Sequence, residues 1–194
     1  MRTLWIGTKN RDKLREIEEI LVGLPYTLRA LPDDAEEAPE DEPTLEGNAV
    51  SKATFYARQR GGWCLADDTG LEVFALGGAP GVRTARYAGP DASYADNRRK
   101  LLAALRGTPP DRRGAQFRCV VALARPSGEV VATAEGAVDG VILEAERGDG
   151  GFGYDPLFAV EGRSFAELTS DAKHALSHRA RALARLRPSL LELI

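Results

Sequence analysis

Apolar positions along this chain follow two rhythms that alternate with one another. Leu4 and Ile6 lie two apart, in a short strand that ends near Thr8. After Asn10 the period lengthens, and Leu14, Ile17, Ile20 and Leu21 recur at helical spacing. Residues 26–31 read as a strand again, and Leu45, Ala49, Ala53 and Tyr56 as one face of a second helix. A compact apolar run at 63–66 ends in Asp67 and Asp68. Ser93 and Asp96 have the spacing of a capping box, before a helix through Leu101, Leu102 and Leu105 that Gly107, Pro109 and Pro110 terminate. Residues 117–124 and 129–138 predict two long strands joined by a turn at Pro126, Ser127 and Gly128. A last helix carries Ala180, Leu183, Ala184 and Leu186 and is expected to stop before Pro188. Interleaved strands and helices predict an α/β fold, and the adjacent hairpin strands make its sheet a mixed one.

The chain has 194 residues, which at about 150 residues per domain predicts one domain over 1–194. Its hydrophobic share of 43% and charged share of 28% are those of an ordinary globular chain. A net charge of -3 argues against general affinity for nucleic acid. No apolar run approaches the roughly 18 residues of a membrane span. Residues 1–6 run directly into strand-like sequence and lack the apolar stretch and cleavage site of a signal peptide. Cys64 and Cys119 each sit inside an apolar run without metal-type spacing, so buried free thiols and a reducing cytoplasm are expected.

Four segments carry candidate chemistry. Thr8, Lys9, Asn10, Arg11, Asp12 and Lys13 join the first strand to the first helix. A helix N-terminus favours anions, and three cations crowd this turn, so it suits a phosphate; a solvated turn capped by Asn10 is the plain alternative. Asp67 and Asp68 lie where a strand is expected to end, with Thr69 and Gly70 forming a turn. Two adjacent carboxylates at such a place ask for a cation, and magnesium takes hard oxygen ligands of this kind; an ordinary Asp-capped turn is the alternative. The run from Gly148 to Pro156 holds four glycines around Phe152, Tyr154 and Asp155. It can admit a ligand close to its backbone and offer an aromatic ring to a base, or it can be a hairpin with both rings folded inward. Finally Lys173, and Ser177 as the cap of a helix that opens with His178 and Arg179, place cations where a ligand can meet them. The segment 33–43 has seven acidic residues and two prolines and reads as a solvated loop.

Taken in this order, the motifs resemble the inosine triphosphate pyrophosphatases, also called XTP/dITP diphosphatases. The resemblance lies at Thr8 to Lys13, at Ala66-Asp67-Asp68-Thr69-Gly70-Leu71, at Gly77-Gly78-Ala79-Pro80-Gly81-Val82 with Ala85-Arg86-Tyr87-Ala88-Gly89, at Gly150 to Phe158 and at Ser177-His178-Arg179-Ala180. It implies an elongated two-lobed α/β fold with a mixed sheet, flanking helices and a nucleotide in the cleft between the lobes. It further implies a homodimer, a required magnesium ion (Mg2+), and hydrolysis of ITP, dITP and XTP to monophosphate and pyrophosphate, cleansing the nucleotide pool. By motif position Thr8, Lys9, Asn10, Arg11, Asp12 and Lys13 would hold the triphosphate. Asp68 would accept a proton and bind the metal, and Thr69 would touch substrate. Phe152, Gly153, Tyr154 and Asp155 would line the base pocket, closed by Lys173, His178 and Arg179. His178 and Arg179 would there meet the 6-keto oxygen, with Tyr154 stacked on the ring. The upstream glutamate ligand of the metal is placed at Glu40, with Glu37 and Glu42 as rivals. Lys9 stands where many relatives have glycine, and Gly47 where glutamate is common.

Overall fold

The first three strands are made by two successive crossovers through helices. The computed structural model describes residues 2–192, so Met1 lies outside it. Strand β1 (Arg2–Ile6) leads through helix α1 (Arg11–Ile20) to β2 (Tyr26–Ala30), and β2 through α2 (Leu45–Arg60) to β3 (Trp63–Val73). β1 pairs in parallel with both β2 and β3. Parallel neighbours cannot be joined by a tight turn, which is why a helix stands in each connection. The remaining elements are β4 (Pro80–Gly81), α3 (Tyr94–Ala104), β5 (Gly114–Ala124), β6 (Val130–Ile142), β7 (Phe158–Val160), β8 (Arg163–Ser164), α4 (Ser170–Leu176) and α5 (His178–Leu191). Eight strands form one sheet in the order β2-β1-β3-β5-β6-β7-β8, with β4 paired to β3. The pairs β3–β4, β6–β7 and β7–β8 are antiparallel, so the sheet is mixed, as the alternation of rhythms predicts.

The chain divides into two compact units. The first comprises the residues up to Asp68, Cys119–Gly136 and the segment from His178 onward; the second comprises Thr69–Arg118 and Ala137–Ser177. The first unit packs Leu4, Ile6, Ile17, Leu65, Val121 and Leu183 into its core. The second packs Leu71, Leu101, Phe117, Phe158 and Phe165. Both cysteines are buried thiols outside any disulfide, and burial pushes the Cys64 thiol up to about 12.

Local signals set most helix starts. Asn10 caps α1 by accepting from the amides of Asp12 and Lys13, Thr44 caps α2, and Ser93 with Asp96 forms a capping box on α3. At the hairpin, the Arg125 amide donates to the Glu129 carbonyl at 2.9 Å, and β5 and β6 are both longer than their apolar patterns suggest.

Two expectations are corrected. Asp67, Asp68, Thr69 and Gly70 do not close a strand: β3 continues through them to Val73, because Leu71 and Val73 are needed in the second core. Nor does Pro188 stop the last helix. It lies inside α5, where Leu190 beyond it is fully buried. Pro188 and Ala184 both face solvent, so the helix bond that proline cannot make is lost on the wet side, where water can replace it. The buried stripe of α5 is accordingly Ala182, Leu183, Leu186 and Leu190, whereas Ala184 is exposed.

Candidate active site

In the first unit the turn from β1 into α1 is tied down atom by atom. The Asn10 amide donates to Thr8 Oγ1 at 3.1 Å, and Asn10 Oδ1 accepts from the Asp12 and Lys13 amides at 2.9 and 3.2 Å. Of the cations here, Lys9 donates to the Ala35 carbonyl at 2.9 Å and lies 3.7 Å from Glu37. Arg11 lies 3.7 Å from Asp33, both largely exposed, and Asp12 pairs with Arg15 at 3.3 Å. The acidic loop thus already sets carboxylates near Lys9 and Arg11. Lys13 alone turns inward, to Asp67 Oδ2 at 3.3 Å.

Successive strand residues point to opposite faces, and this separates the two aspartates of β3. Asp67 is buried against α1 and α5. Arg179 donates to its Oδ2 from Nε at 3.3 Å and Nη2 at 3.2 Å, and from Nη1 to Glu16. Burial alone would raise the Asp67 carboxyl, but Lys13, Arg179 and Lys52 outweigh it and hold it well below the usual carboxylate range. Asp68 faces α2. Lys52 Nζ donates to Asp68 Oδ1 at 3.0 Å, and Asn48 Nδ2 to Oδ2 at 3.1 Å. Glu40 Oε1 reaches the same Lys52 ammonium at 2.9 Å. Burial would lower the Lys52 ammonium, but Asp68, Asp67 and Glu40 raise it above its ordinary range, so it stays charged. The adjacent carboxylates thus touch different cations, Asp67 meeting Lys13 and Arg179 and Asp68 meeting Lys52, although the Lys52 charge acts on both.

The acidic loop is less solvated than its composition suggests. Asn48 Oδ1 accepts from the Glu42 amide at 3.0 Å, the Tyr56 hydroxyl accepts from the Ala38 amide at 3.1 Å, and Ser51 Oγ donates to the Pro39 carbonyl at 3.3 Å. This strapping brings Glu40 to Lys52 and Asp68, while Glu37 goes to Lys9. Of the three candidate glutamates, Glu40 is the one whose carboxylate is shown meeting the Asp68 cluster. Among the described residues no group of three or more His, Cys, Asp or Glu side chains could hold a metal. Two carboxylates that already converge on a single cationic group are nevertheless the donor set expected of magnesium when phosphate oxygens complete its shell. Asp68 and Glu40 fit that description.

The second unit holds the other expected residues. Asp155 Oδ2 accepts from the Phe152 amide at 2.7 Å and from Lys173 Nζ at 2.5 Å. Lys173 Nζ also lies 4.9 Å from the centroid of the half-buried Phe152 ring. Gly151 is required here, since a Cβ on it would come 2.1 Å from Asp155 Oδ2. Tyr154 is folded inward, its hydroxyl donating to the Thr84 carbonyl at 2.9 Å, so its ring is core and Phe152 is the accessible aromatic. Gly153 lies beside them, and Thr69 is half-buried in β3. His178 and Arg179 are buried in the first turn of α5, and the Arg179 guanidinium donates to Asp67 and Glu16. Sequence reading missed Glu16, Asn48 and Lys52. The signal was present: each is a polar residue on the apolar stripe of its helix, and Asn48 and Lys52 are four apart beside Ala49 and Ala53.

Comparison with known proteins decides the family. The Ham1 family profile matches residues 4–189. The chain belongs to the Ham1 family. The dITP/XTP pyrophosphatase of Geobacter sulfurreducens is 50% identical over 194 residues, covering 98% of this chain and 97% of that one. The dITP/XTP pyrophosphatase of Syntrophobacter fumaroxidans is 53% identical over 187 residues, covering 94% of this chain and 79% of that one. The Ham1 protein of Staphylococcus aureus has the same fold, with a TM-score of 0.85 at 35% identity and complete coverage, 100%, of both chains. All the motif segments of this Ham1 chain, from Thr8 to Ala180, lie inside the matched span.

Proposed function

We propose that this protein hydrolyses deaminated purine nucleoside triphosphates, ITP, dITP and XTP, to the nucleoside monophosphate and pyrophosphate. The observation that carries the reading is the convergence of Asp68 and Glu40 on Lys52, in a chain so similar to proteins named dITP/XTP pyrophosphatases. Asp68 and Glu40 would hold a magnesium ion, which when bound supplies charge neutralisation and polarisation of the phosphate oxygens.

The protein's own groups do the rest. Lys13 and the capped start of α1, from Thr8 to Asp12, hold the triphosphate. Asp68 accepts a proton from the water that attacks the α-phosphorus, and Asn48 and Lys52 keep that carboxylate in one orientation. The bond from the α-phosphorus to the bridging oxygen breaks, and pyrophosphate leaves with its charge held by Lys13 and Lys52. Arg179 and Glu16 fix Asp67, and Asp67 in turn sets the reach of Lys13. The resemblance assigns the nucleoside end to the segment Phe152–Asp155 and Lys173 of the second unit, where Phe152 offers the accessible ring and Tyr154 backs it from the core. The resemblance supports action as a homodimer in the cytoplasm, clearing the nucleotide pool.

A panel of nucleoside triphosphates with magnesium, with products resolved, tests this. The expected result is IMP and pyrophosphate from ITP; stepwise release of orthophosphate with IDP accumulating overturns it.

A further inference from the structure

One face of α3 grips the glycine-rich loop at two points. Tyr94 opens the helix and Arg98 follows one turn later, so both lie on the same side. The Tyr94 ring sits 5.9 Å from the Phe152 ring, centroid to centroid, tilted by 45°. Arg98 donates from Nη1 to the Gly153 carbonyl at 2.9 Å and from Nε to Glu146 Oε1 at 2.8 Å. Glu146 belongs to the same loop: the amide of the next residue, Arg147, donates to the Pro156 carbonyl at 2.9 Å, closing its neck.

The helix that makes these contacts is itself held firmly. Its first turn is fixed by the Ser93–Asp96 box. Asn97 donates to the Ala85 carbonyl at 2.9 Å and accepts from the Ala88 amide at 2.7 Å. Leu101 and Leu105 are fully buried, and Arg113 donates to the Leu105 carbonyl at 3.0 Å. A flexible loop of glycines pinned from such a base loses most of its conformational freedom before a ligand arrives, and prepaid ordering of that kind strengthens binding.

We propose that Tyr94 and Arg98 are positioning residues that pre-order the Phe152–Gly153 segment for the nucleobase end of the substrate. The planar fork of Arg98 spans a backbone carbonyl of the loop and a carboxylate at the loop's neck, and Tyr94 backs the one accessible aromatic ring of that loop. This rests on the assignment of the loop to the nucleoside end, and the test separates the two.

The variants are Arg98→Leu, Tyr94→Ala, Tyr94→Phe and Phe152→Ala, assayed on dITP with magnesium. Inorganic tripolyphosphate serves as an inhibitor that carries the phosphate end alone. Arg98→Leu and Tyr94→Ala should each raise KM for dITP by roughly five- to twentyfold, the weight of one charged hydrogen bond or one ring contact, with kcat little changed. Tyr94→Phe, which keeps the ring, should match the parent. Inhibition by tripolyphosphate should be unaffected in all four. An unchanged KM in Arg98→Leu and Tyr94→Ala overturns the proposal, as does parallel weakening of dITP and tripolyphosphate, the mark of general structural damage. If Phe152→Ala raises KM while the α3 variants do not, only the positioning role falls. If Phe152→Ala itself leaves KM unchanged, the loop's assignment to the nucleoside end falls, and the proposal with it.

Discussion

Asp67 and Asp68 are adjacent in the chain yet have different physical tasks, because a strand turns neighbouring side chains to opposite faces. Asp67 is locked in a buried network with Lys13, Arg179 and Glu16. Replacing it by asparagine leaves buried cations short of their anion, a loss of about 3–5 kcal/mol in stability. Asp68 keeps company with Lys52 and Asn48. If it accepts the proton of the attacking water, Asp68→Asn should lower turnover at least about 100-fold. Lys52 retains Glu40 in that variant, so the fold should hold. The pair is read by thermal melting and initial rates side by side: Asp67→Asn should fail chiefly in melting, Asp68→Asn chiefly in rate. An Asp68→Asn enzyme with near-normal turnover would remove Asp68 from the reaction.

At the scale of elements, the approach of α5 to β6 decides where Arg179 can reach. Gly136 of β6 has no side chain, and a Cβ there would lie 2.1 Å from the His178 carbonyl oxygen and 2.4 Å from the Ala182 amide nitrogen. Both are backbone atoms of α5, so they cannot swing aside as a side chain would. Gly136→Ala must push the first turn of α5 off the sheet, and overpacking of this kind costs about 1–3 kcal/mol. Urea denaturation should show that loss, and a Gly136→Ala protein as stable as the parent would show that α5 can shift freely. The same displacement would move Arg179 away from Asp67, so the enzyme should also lose activity. By contrast the cap of α1 is local: Asn10 accepts from two amides within three positions of itself.

For the whole molecule, ligand binding is linked to stability. The two cores are formed from segments scattered along the chain, so a ligand that binds only the folded protein raises its melting temperature. A deoxyinosine triphosphate analogue with nitrogen in place of the α–β bridging oxygen binds without being cut. Supplied with magnesium at about 100 times its Kd, it adds about 2.7 kcal/mol. For a chain of this size that is a rise of roughly 5–10 °C. Calorimetry with the adenine counterpart at equal concentration should show a much smaller shift. Equal shifts would mean that the protein does not select deaminated purines.

The alternation of strands and helices, the caps at Asn10 and Ser93, the hairpin at 126–128 and the buried thiols are all legible in the sequence, because each depends on residues within a few positions of one another. The motif resemblance singled out Asp68 and, with Glu37 and Glu42 as rivals, Glu40; the structure sets both carboxylates against Lys52. Tertiary structure decided the rest. Glu16, Asp67 and Arg179 are far apart in the chain, and only the packing of α1 and α5 against β3 makes them one network. Asn48 and Lys52 look like breaks in an apolar stripe until β3 places Asp68 opposite them. The acidic loop looks solvated until the cations of the first turn and Lys52 are seen to bind it. Pro188 reads as a stop, but burial of Leu190 outweighs one hydrogen bond exchanged for water. Capping and turn energies act locally and so leave their mark in local sequence; the partners of a buried charge are chosen by the fold, which brings distant residues within a few ångströms of each other.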